Sequence, residues 1–427
     1  MNLPTLERAR LQMRMFKRFS FTVSIALLFS TLPNTAHAVD IPASFSFSGS
    51  GYGHGVGMSQ IGARAKALAG ESATAILNYY YSGTSVETTT DTQILRINIG
   101  HLLTSAKIKS DSAGSIFSLY SGDVPETGTA PAILNYPSKT TLNLTLDNGQ
   151  ISMSTTRGSK TTQIATGTVF TLRWSGTRYM EGAPAVLAVT TNNVVNRYRH
   201  GQMQFKVVKD KLLGKRIEII NSVRLQDEYL WGISEVPSLW PTAALQAQAI
   251  ASRTYAIAKS VRIRTACDCH LYGSISDQTF AGYAKEGEPK FGQLWKNAVN
   301  STVGQIITYA GLPITAYFSS SSGGVTETSE HAWGSATAYT QSVSDTASVD
   351  LVLNPRFATW TRQIPQSVIA AAFALSDVAA LQVLSMNPAG TVALIQATSS
   401  TGVTAELRGE TFRSRSKLPS AWFSITG

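Results

Sequence analysis

Apolar residues that recur every three to four positions predict two short helices near the start of the chain. From Gly62 the sequence GARAKALAG is rich in alanine, which favours a helix, and Gly70 is a suitable residue to end it. Residues 72–80 place Tyr79, Tyr80 and two smaller apolar side chains at helical spacing. The pattern therefore predicts a helical hairpin.

A longer helix is predicted after Pro241, because proline suits the first turn of a helix. The residues that follow are mostly small and apolar, and they include Ala243, Ala244, Leu245, Ala247, Ala249, Ile250 and Ala251. Since a helix that is apolar all round is usually buried, we expect this one to lie at the centre of a domain.

Between these helices, residues 87–205 alternate apolar with polar side chains and are rich in threonine and serine. The stretches TLNLTLDNGQISMST, TVFTLRW and AVLAVTT have the period of two that is typical of strands, and Asp147-Asn148-Gly149 is a hairpin turn signal. The stretches QFKVV and RIEIINSV predict another hairpin through residues 210–214. We therefore expect an α+β fold, a mixed helical and β-rich core with an inserted β-rich module.

The first 38 residues have the pattern of a secretory signal peptide. Five basic residues precede the apolar run FTVSIALLFSTL, and Ala36-His37-Ala38 supplies the small residues of a cleavage site. The apolar run is shorter than the roughly 20 residues that cross a bilayer. We expect export with cleavage after Ala38, and a retained N-terminal anchor is the alternative.

The length of 427 residues and the hydrophobic content of 43% indicate about two globular domains. We divide the chain into the signal peptide (1–38), a glycine-rich and helical segment (39–86) that belongs with the core, the β-rich module (87–205) and the core (206–427).

Without residues 1–38 the chain has 31 Lys and Arg against 25 Asp and Glu, a net charge of +6. This mild excess suits an anionic polymer or a membrane surface, and the sequence has no dense basic stripe interleaved with aromatic residues that would favour nucleic acid.

The two cysteines lie in the stretch Cys267-Asp268-Cys269-His270. Two thiolates and an imidazole are good zinc ligands, but no fourth ligand stands at close spacing. A disulfide across three residues is geometrically awkward, although an oxidising compartment permits one. Zinc binding by Cys267, Cys269 and His270 stays open beside a tight loop with buried or bridged thiols, and we commit to no metal.

Glu235 lies in the turn before the alanine-rich helix and has two interpretations. It is either a surface carboxylate stabilised by the helix dipole or a general acid whose pKa is raised by apolar neighbours. The neighbours that would raise it are Trp231, Val236, Leu239 and Trp240.

Four stretches together resemble the stage II sporulation protein D family, the amidase enhancer or lytic transglycosylase group that acts on bacterial peptidoglycan. They are GHGVGMSQIGA, YLWGISEVPSLWPTAALQAQAIASRTYA, DQTFAGY and AVNSTVGQIITYAGLPITAYFSSSSGGVTETSEHAWG. The resemblance covers residues 50–86 and about 205–427, and it leaves the β-rich module uncovered.

The order of these stretches is unusual for the family, in which the glycine-histidine motif often follows the end of the core. Here the motif comes first, and the chain stops at a stretch that resembles the one normally leading into it. A circular permutation would explain this order, because it is tolerated where the termini lie close together. It predicts that residues 45–50 pair with, or lie beside, residues 422–427.

The resemblance implies a glycan-binding cleft, with residues 51–60 as one wall and Glu235 inside it. The alternating glycines of GYGHGVG would let the backbone approach a ligand closely and expose N–H groups, and the N-terminus of the following helix would add positive potential. The substrate contacts it implies are His54, Ser59, Gln60, Arg253, Gln278, Tyr317, Ser320, Ser321 and Ser322. His54 has a second interpretation, a turn histidine hydrogen-bonded for structure, and Ser319 stands where the family often has a histidine.

The activity that the resemblance implies is lytic cleavage between N-acetylmuramic acid and N-acetylglucosamine in glycan strands stripped of stem peptides. Glu235 alone would protonate the glycosidic oxygen and then deprotonate the C6 hydroxyl of the same muramic acid, which attacks C1 and closes a 1,6-anhydro ring. This route requires no cofactor.

Other functions stay open from the sequence. A non-catalytic enhancer would bind glycan and recruit or activate an N-acetylmuramoyl-L-alanine amidase. A structural wall protein fits the signal peptide but leaves the motifs unexplained. A serine hydrolase is disfavoured, because the cluster at residues 319–322 lacks a nucleophile elbow and assignable partners.

Overall fold

Two sheets built by the alternating segment share one hydrophobic core. The computed structural model describes residues 40–110, 112–128 and 130–426. The six-stranded sheet contains β5 (Ser105–Ser110), β8 (Thr141–Asp147), β9 (Gln150–Arg157), β10 (Lys160–Gly167), β12 (Leu187–Thr191) and β13 (Val194–Tyr198). The seven-stranded sheet contains β4 (Ile94–Leu103), β6 (Ile116–Ser121), β7 (Leu134–Pro137), β11 (Val169–Trp174), β14 (Gln202–Asp210), β15 (Gly214–Arg224) and β16 (Leu271–Tyr272).

The period of two explains how these strands bury one face. In β8 and β9 the buried side chains are Leu142, Leu144, Ile151 and Met153, and the polar residues between them face outward. The hairpin predicted between the two strands is confirmed, with Asp147 opposite Gln150 across the turn. The hairpin through residues 210–214 is confirmed as well, since all of β14 pairs with residues 214–222 of β15. The α+β fold class is therefore confirmed.

The predicted boundary after residue 205 falls inside strand β14. The seven-stranded sheet joins five strands from residues 87–210 to β15 and β16, and its side chains pack into the same core as those of the six-stranded sheet. The β-rich segment and the beginning of the predicted core are therefore one folded body in this part of the chain.

Helix α3 (Thr242–Lys259) is buried along most of its length, as its small side chains predict. Helices α1 (Gln60–Leu68), α2 (Ala73–Tyr80) and α5 (Gly292–Asn300) pack against it. The predicted hairpin of α1 and α2 is confirmed, and Ser59 caps α1 by accepting the Gly62 N–H at 3.0 Å. The remaining described helices are α4 (Tyr283–Glu286), α6 (Ser329–Trp333), α7 (Gln366–Phe373) and α8 (Gly409–Ser416), with one-turn helices at Leu225–Tyr229, Leu230–Gly232 and Thr346–Val349.

The C-terminal residues build a second core against the first strand of the described chain. One sheet contains β1 (Ser44–Gly49), β20 (Trp360–Pro365) and β24 (Phe423–Ile425), and another contains β21 (Ala380–Met386), β22 (Val392–Thr398) and β23 (Thr404–Arg408). The shorter strands are β2 (Met58–Ser59), β3 (Ser85–Thr88), β17 (Gln305–Tyr309), β18 (Leu312–Pro313) and β19 (Phe318–Ser319).

The pairing predicted between residues 45–50 and 422–427 is confirmed. Strands β1 and β24 are antiparallel, with Phe47 opposite Ile425 and Gly49 opposite Phe423. The Ser50 N–H also donates to the Trp422 carbonyl at 3.1 Å. Proximity of these two segments is what a circular permutation requires, and the permutation itself stays a prediction.

The signal peptide predicted for residues 1–38 lies outside the described residues. In the part of the chain that the structure describes, no helix has the length and apolar character needed to cross a membrane.

The alternating glycines at residues 51–57 pack against the protein itself. Gly55 has a φ of +73°, and a Cβ built on it would lie 2.1 Å from the indole of Trp422. The N–H groups of Gly51 and Gly53 donate to the carbonyls of Phe357 and Pro419. The expectation that these N–H groups are exposed for a ligand is therefore wrong for Gly51 and Gly53, because they bond the C-terminal region to the motif.

We predict that Gly55→Ala lowers the free energy of unfolding by about 2–5 kcal/mol, from left-handed backbone strain and overpacking against Trp422. Gly70→Ala is the matched control, since Gly70 has a φ of +89° and no atom within 4 Å of a built Cβ. Urea denaturation checks both variants. Equal losses in the two variants would contradict the packing argument.

Candidate functional site

Glu235 is held in place by a short backbone ladder between two loops. Ile233 forms an antiparallel bridge with Phe280, and the Ser234 N–H donates to the Thr279 carbonyl at 2.9 Å. The Thr279 N–H in turn donates to Glu235 Oε1 at 2.5 Å. The residues just before α3 and those at 279–281 therefore fix the carboxylate from two sides.

The carboxylate lines an open cleft of about 380 Å³. Its other walls include Val236, Pro237, Lys285 and Glu288. Lys285 is buried and donates to the Val236 carbonyl at 2.5 Å, while Ser238 Oγ donates to Glu288 Oε2 at 2.7 Å. The cleft therefore contains two carboxylates with one ammonium beside them.

Burial raises the pKa of Glu235 above its ordinary value. The hydrogen bonds from Thr279 and the charge of Lys285 oppose this shift without cancelling it. Burial also lowers the pKa of Lys285 to about 8, against the opposing charges of Glu288 and Glu235. The shift on Glu235 is in the direction that keeps a carboxylic acid protonated for proton donation.

The apolar neighbours expected around Glu235 are only partly in place. Val236 lines the cleft, but Leu239 is 60% exposed. The Trp231 indole donates to Asn300, and Trp240 lies under the guanidinium of Arg64 at 5.7 Å. Among the described residues that line the cleft with Glu235, Val236 is therefore the one of the four expected neighbours that is present.

His54 lies in a cluster of aromatic rings and uses its ring for structure. Its Nδ1 accepts the Val56 N–H at 3.0 Å, and burial together with Arg413 lowers the pKa of His54 to about 3, so the ring is neutral near pH 7. Its ring centroid is 5.1 Å from that of Trp333 and 6.3 Å from that of Tyr317. These contacts favour the structural interpretation of His54.

Four of the predicted substrate contacts are buried inside the protein. Ser59 caps α1, and Gln60 donates to Gln248 at 3.2 Å. Gln278 donates to the Tyr229 hydroxyl and the Ser252 carbonyl, both at 3.2 Å. Arg253 is fully buried and pairs with Asp91 at 2.7 Å. The prediction that Arg253 contacts substrate is wrong in this structure, because its guanidinium is part of the core.

The serine cluster is also mostly internal. Ser321 and Ser322 are fully buried, and Ser322 Oγ donates to Asp345 at 2.7 Å. Ser320 is half-buried, and its carbonyl accepts the Ile61 N–H. Of the predicted contacts, His54, Tyr317 and Ser320 are partly exposed residues.

The structure does not bring the glycine motif and Glu235 into one cleft. Among the described residues that line the Glu235 cleft, none comes from the range 51–60. Residues 51–60 instead contact the serine segment, through β2 and β19 and through a bridge between Tyr52 and Ser321. The expected wall around Glu235 is formed by the residues at 281–288.

Cys267 and Cys269 form a disulfide, so neither sulfur is a thiolate ligand in this structure. The His270 Nδ1 accepts the Arg96 N–H at 3.0 Å. Within the described residues, no group of three or more His, Cys, Asp or Glu side chains is arranged to hold a metal ion. The bridged alternative for this loop is therefore the one observed, and the zinc alternative does not fit these residues.

Three residues of interest were missed by the sequence analysis. Lys285 lies on the one-turn helix α4, and Glu288 lies just after it. They follow the aspartate of DQTFAGY by eight and eleven residues, and this spacing does not connect them with Glu235. Trp333 is the penultimate residue of the quoted serine-rich stretch. Its 41% exposure and its ring centroid 4.7 Å from that of Tyr317 are visible only in three dimensions.

Comparison with known proteins places Glu235 inside a family domain. Residues 214–309 match the SpoIID family, described as Stage II sporulation protein. The chain is 38% identical to Stage II sporulation protein D of Bacillus subtilis (strain 168) over 130 residues, which are 27% of this chain and 37% of that protein. It is 34% identical to the Amidase enhancer of the same organism over 113 residues, 26% of this chain and 14% of that protein.

The chain therefore spans about a third or less of the length of these relatives, and its matching part contains Glu235, Lys285 and Glu288. The glycine motif and the residues beyond 309 lie outside the family match. Residues 214–309 of this chain are therefore similar to a domain of the stage II sporulation protein D and amidase enhancer family.

Proposed function

We propose that this chain is an exported enzyme of the bacterial cell wall, a lytic transglycosylase that cleaves peptidoglycan strands stripped of stem peptides. The cut bond joins N-acetylmuramic acid to N-acetylglucosamine. The observation that carries the proposal is Glu235, a carboxyl group with a raised pKa in an open cleft within the family domain.

Glu235 serves as acid and then as base. Its proton passes to the glycosidic oxygen as the C1–O bond breaks, and the N-acetylglucosamine leaves with a free hydroxyl. The carboxylate then accepts the proton of the C6 hydroxyl of the same muramic acid as that oxygen bonds to C1, which closes the 1,6-anhydro ring and restores the protonated acid. The nucleophile is already part of the substrate, so proximity lowers the barrier and no water is consumed.

Hydrolysis is the reaction that competes with ring closure, and the second carboxylate of the cleft, Glu288, is the reason to consider it. Ordinary glycosidases use two carboxyl groups, one as acid and one as nucleophile or base, and the cleft contains two. Glu288 is held by Ser238 and lies near Lys285 in the same cleft. We assign Glu288 the role of holding Lys285 in place.

A non-catalytic enhancer of an N-acetylmuramoyl-L-alanine amidase is the second candidate function. The name of the Amidase enhancer of Bacillus subtilis favours it. In that case the exposed Trp333 and the partly exposed Tyr317 would bind glycan beside the glycine motif, and Glu235 would be dispensable.

We predict that Glu235→Gln reduces the release of 1,6-anhydro products from peptide-free strands by about 10²–10⁴-fold, the usual contribution of a general acid or base. Glu288→Gln is the matched control, because it removes the other carboxylate of the same cleft. It should retain activity within about tenfold. Mass spectrometry of the products checks both.

The enhancer would be favoured if neither the wild-type chain nor Glu235→Gln released anhydro ends while both still stimulated an amidase on intact sacculi. Loss of activity in Glu288→Gln together with reducing ends that carry an added water would show a two-carboxylate hydrolase.

We predict that Lys285→Met shifts the alkaline limb of the pH–rate profile upward. The Lys285 ammonium lowers the pKa of Glu235, so its removal raises that pKa and keeps the acid protonated to a higher pH. Because the pKa of Lys285 is about 8, the shift should be seen below pH 8, where the ammonium is present. An unchanged limb, with folding verified by circular dichroism, would contradict the assignment of that limb to Glu235.

A further inference from the structure

The hairpin of β14 and β15 ends in an exposed turn that carries two leucines. The sequence of this hairpin tip, residues 209–216, is KDKLLGKR. Leu212 is 93% exposed and Leu213 is 50% exposed. Leucine is among the residues that folded proteins most often bury, so two adjacent exposed leucines give the end of the hairpin an apolar surface.

The turn is well ordered by its own hydrogen bonds. Asp210 pairs with Gly214 across the hairpin, and its carboxylate accepts the N–H groups of Leu212 and Leu213 at 2.9 and 2.8 Å. Gly214 has a φ of +74°, the left-handed conformation with which hairpin loops of three residues commonly close. The backbone donors of both leucines are therefore satisfied within the turn, and the two side chains leave it from fixed positions.

Four cationic side chains surround the leucines. Lys209 and Lys215 lie directly opposite each other across the hairpin, where like charges are unfavourable. Lys211 is also exposed, and Arg216 is half-buried. The carboxylate of Asp210 is the one anionic side chain of the hairpin tip, which therefore has a net charge of +3.

A second exposed turn of this protein has the same local structure without the cations. The Asp350 carboxylate accepts the N–H groups of Val352 and Leu353 at 2.7 and 3.0 Å. Leu351 is 65% exposed and Val352 is 86% exposed. Residues 346–355 contain no lysine or arginine. The two turns share their aspartate cap and their exposed apolar side chains, and they differ in charge.

An anionic lipid bilayer offers both components that the hairpin tip lacks. Its phosphate headgroups attract lysine and arginine near the surface, and its hydrocarbon takes up apolar side chains. Long basic side chains reach the headgroups while neighbouring apolar residues lie deeper. A soluble anionic polymer would pair with the cations but leave the leucines in water. The bilayer is therefore the partner that accounts for the leucines and the cations together.

We propose that the hairpin tip is a membrane-contact site that inserts Leu212 and Leu213 into an anionic lipid bilayer while its basic side chains bind the phosphate headgroups. Two side chains bury little apolar surface, so the contact is reversible. Strand β15 begins at the hairpin tip and runs for 11 residues, roughly 35 Å, toward the segment that holds Glu235. The inference does not depend on the proposed function, because the Glu235 cleft takes no part in the contact.

The test is co-sedimentation of the chain from residue 39 onward with vesicles of equal parts phosphatidylglycerol and phosphatidylcholine. The wild-type chain should bind these at least about tenfold more tightly than vesicles of phosphatidylcholine alone, and added salt should weaken the binding. Leu212→Ser with Leu213→Ser should lower the affinity about tenfold or more, because apolar burial is lost. Lys209→Gln with Lys211→Gln should lower it about tenfold as well, through the loss of two headgroup contacts.

The double variant Leu351→Ser with Val352→Ser is the matched control, because it removes an exposed apolar pair from the turn without cations. It should leave the affinity unchanged. Leu212→Cys gives a direct readout of insertion, since both native cysteines are held in a disulfide and the new thiol is labelled alone. A nitrobenzoxadiazole label there should brighten on anionic vesicles, whereas the same label on Val352→Cys should not.

Three results would overturn the membrane-contact site. They are the absence of binding to the anionic vesicles, undiminished binding by the leucine double variant, and a label at residue 212 that does not brighten. Tight binding of soluble polyphosphate that the leucine changes do not affect, together with undiminished vesicle binding, would assign the hairpin tip to an anionic polymer. Circular dichroism verifies folding, and if the leucine double variant fails to fold, Leu212→Ser decides alone. Release of anhydro products from soluble strands should stay the same in every variant, which separates this test from that of the proposed function.

Discussion

The close packing of helix α3 determines where the other elements around the site can lie. Its alanines let α1, α2 and α5 approach its surface, and Arg253 in the same helix pairs with Asp91 inside the core. Ser252 accepts from Gln278 through its carbonyl, which ties the loop at 277–283 to the middle of the helix. The residues just before α3 then meet that loop, and Glu235 is fixed between them.

The site depends on a balance between desolvation and neighbouring charge. Burial raises the pKa of Glu235, while the hydrogen bonds from Thr279 and the charge of Lys285 lower it. In the proposed reaction Glu235 gives up a proton and accepts another in one cycle, and opposing influences on its pKa suit that role. Lys285 is itself partly desolvated, which lowers its pKa. The cleft therefore contains a carboxyl group with a raised pKa beside an ammonium group with a lowered pKa.

The sequence predicts the elements better than it predicts their assembly. The periods of two and of three to four residues identify the β8–β9 hairpin, α1, α2 and α3, because burial of one face repeats along each element. The pairing of residues 45–50 with 422–427 was also predicted, from the order of motifs. The boundary at residue 205 was wrong because strand β14 continues across it, and strand pairing between distant segments leaves no local signal.

The same limit applies to the site. Glu235 stands out by its turn and its place before a buried helix, whereas Lys285 and Glu288 reach it only through the fold. Polar residues within a family motif read as substrate contacts in the sequence, yet Arg253, Gln278 and Ser322 pair with other protein groups. A motif constrains a residue without telling whether the partner is the protein or a ligand.

The central claim is that the attacking oxygen comes from the substrate. It is tested most directly by digesting peptide-free strands in water enriched in oxygen-18 and weighing the new muramic acid ends. The account predicts anhydro ends that carry no heavy oxygen. Ends that have gained one heavy oxygen from solvent would contradict it and assign the cleft to hydrolysis.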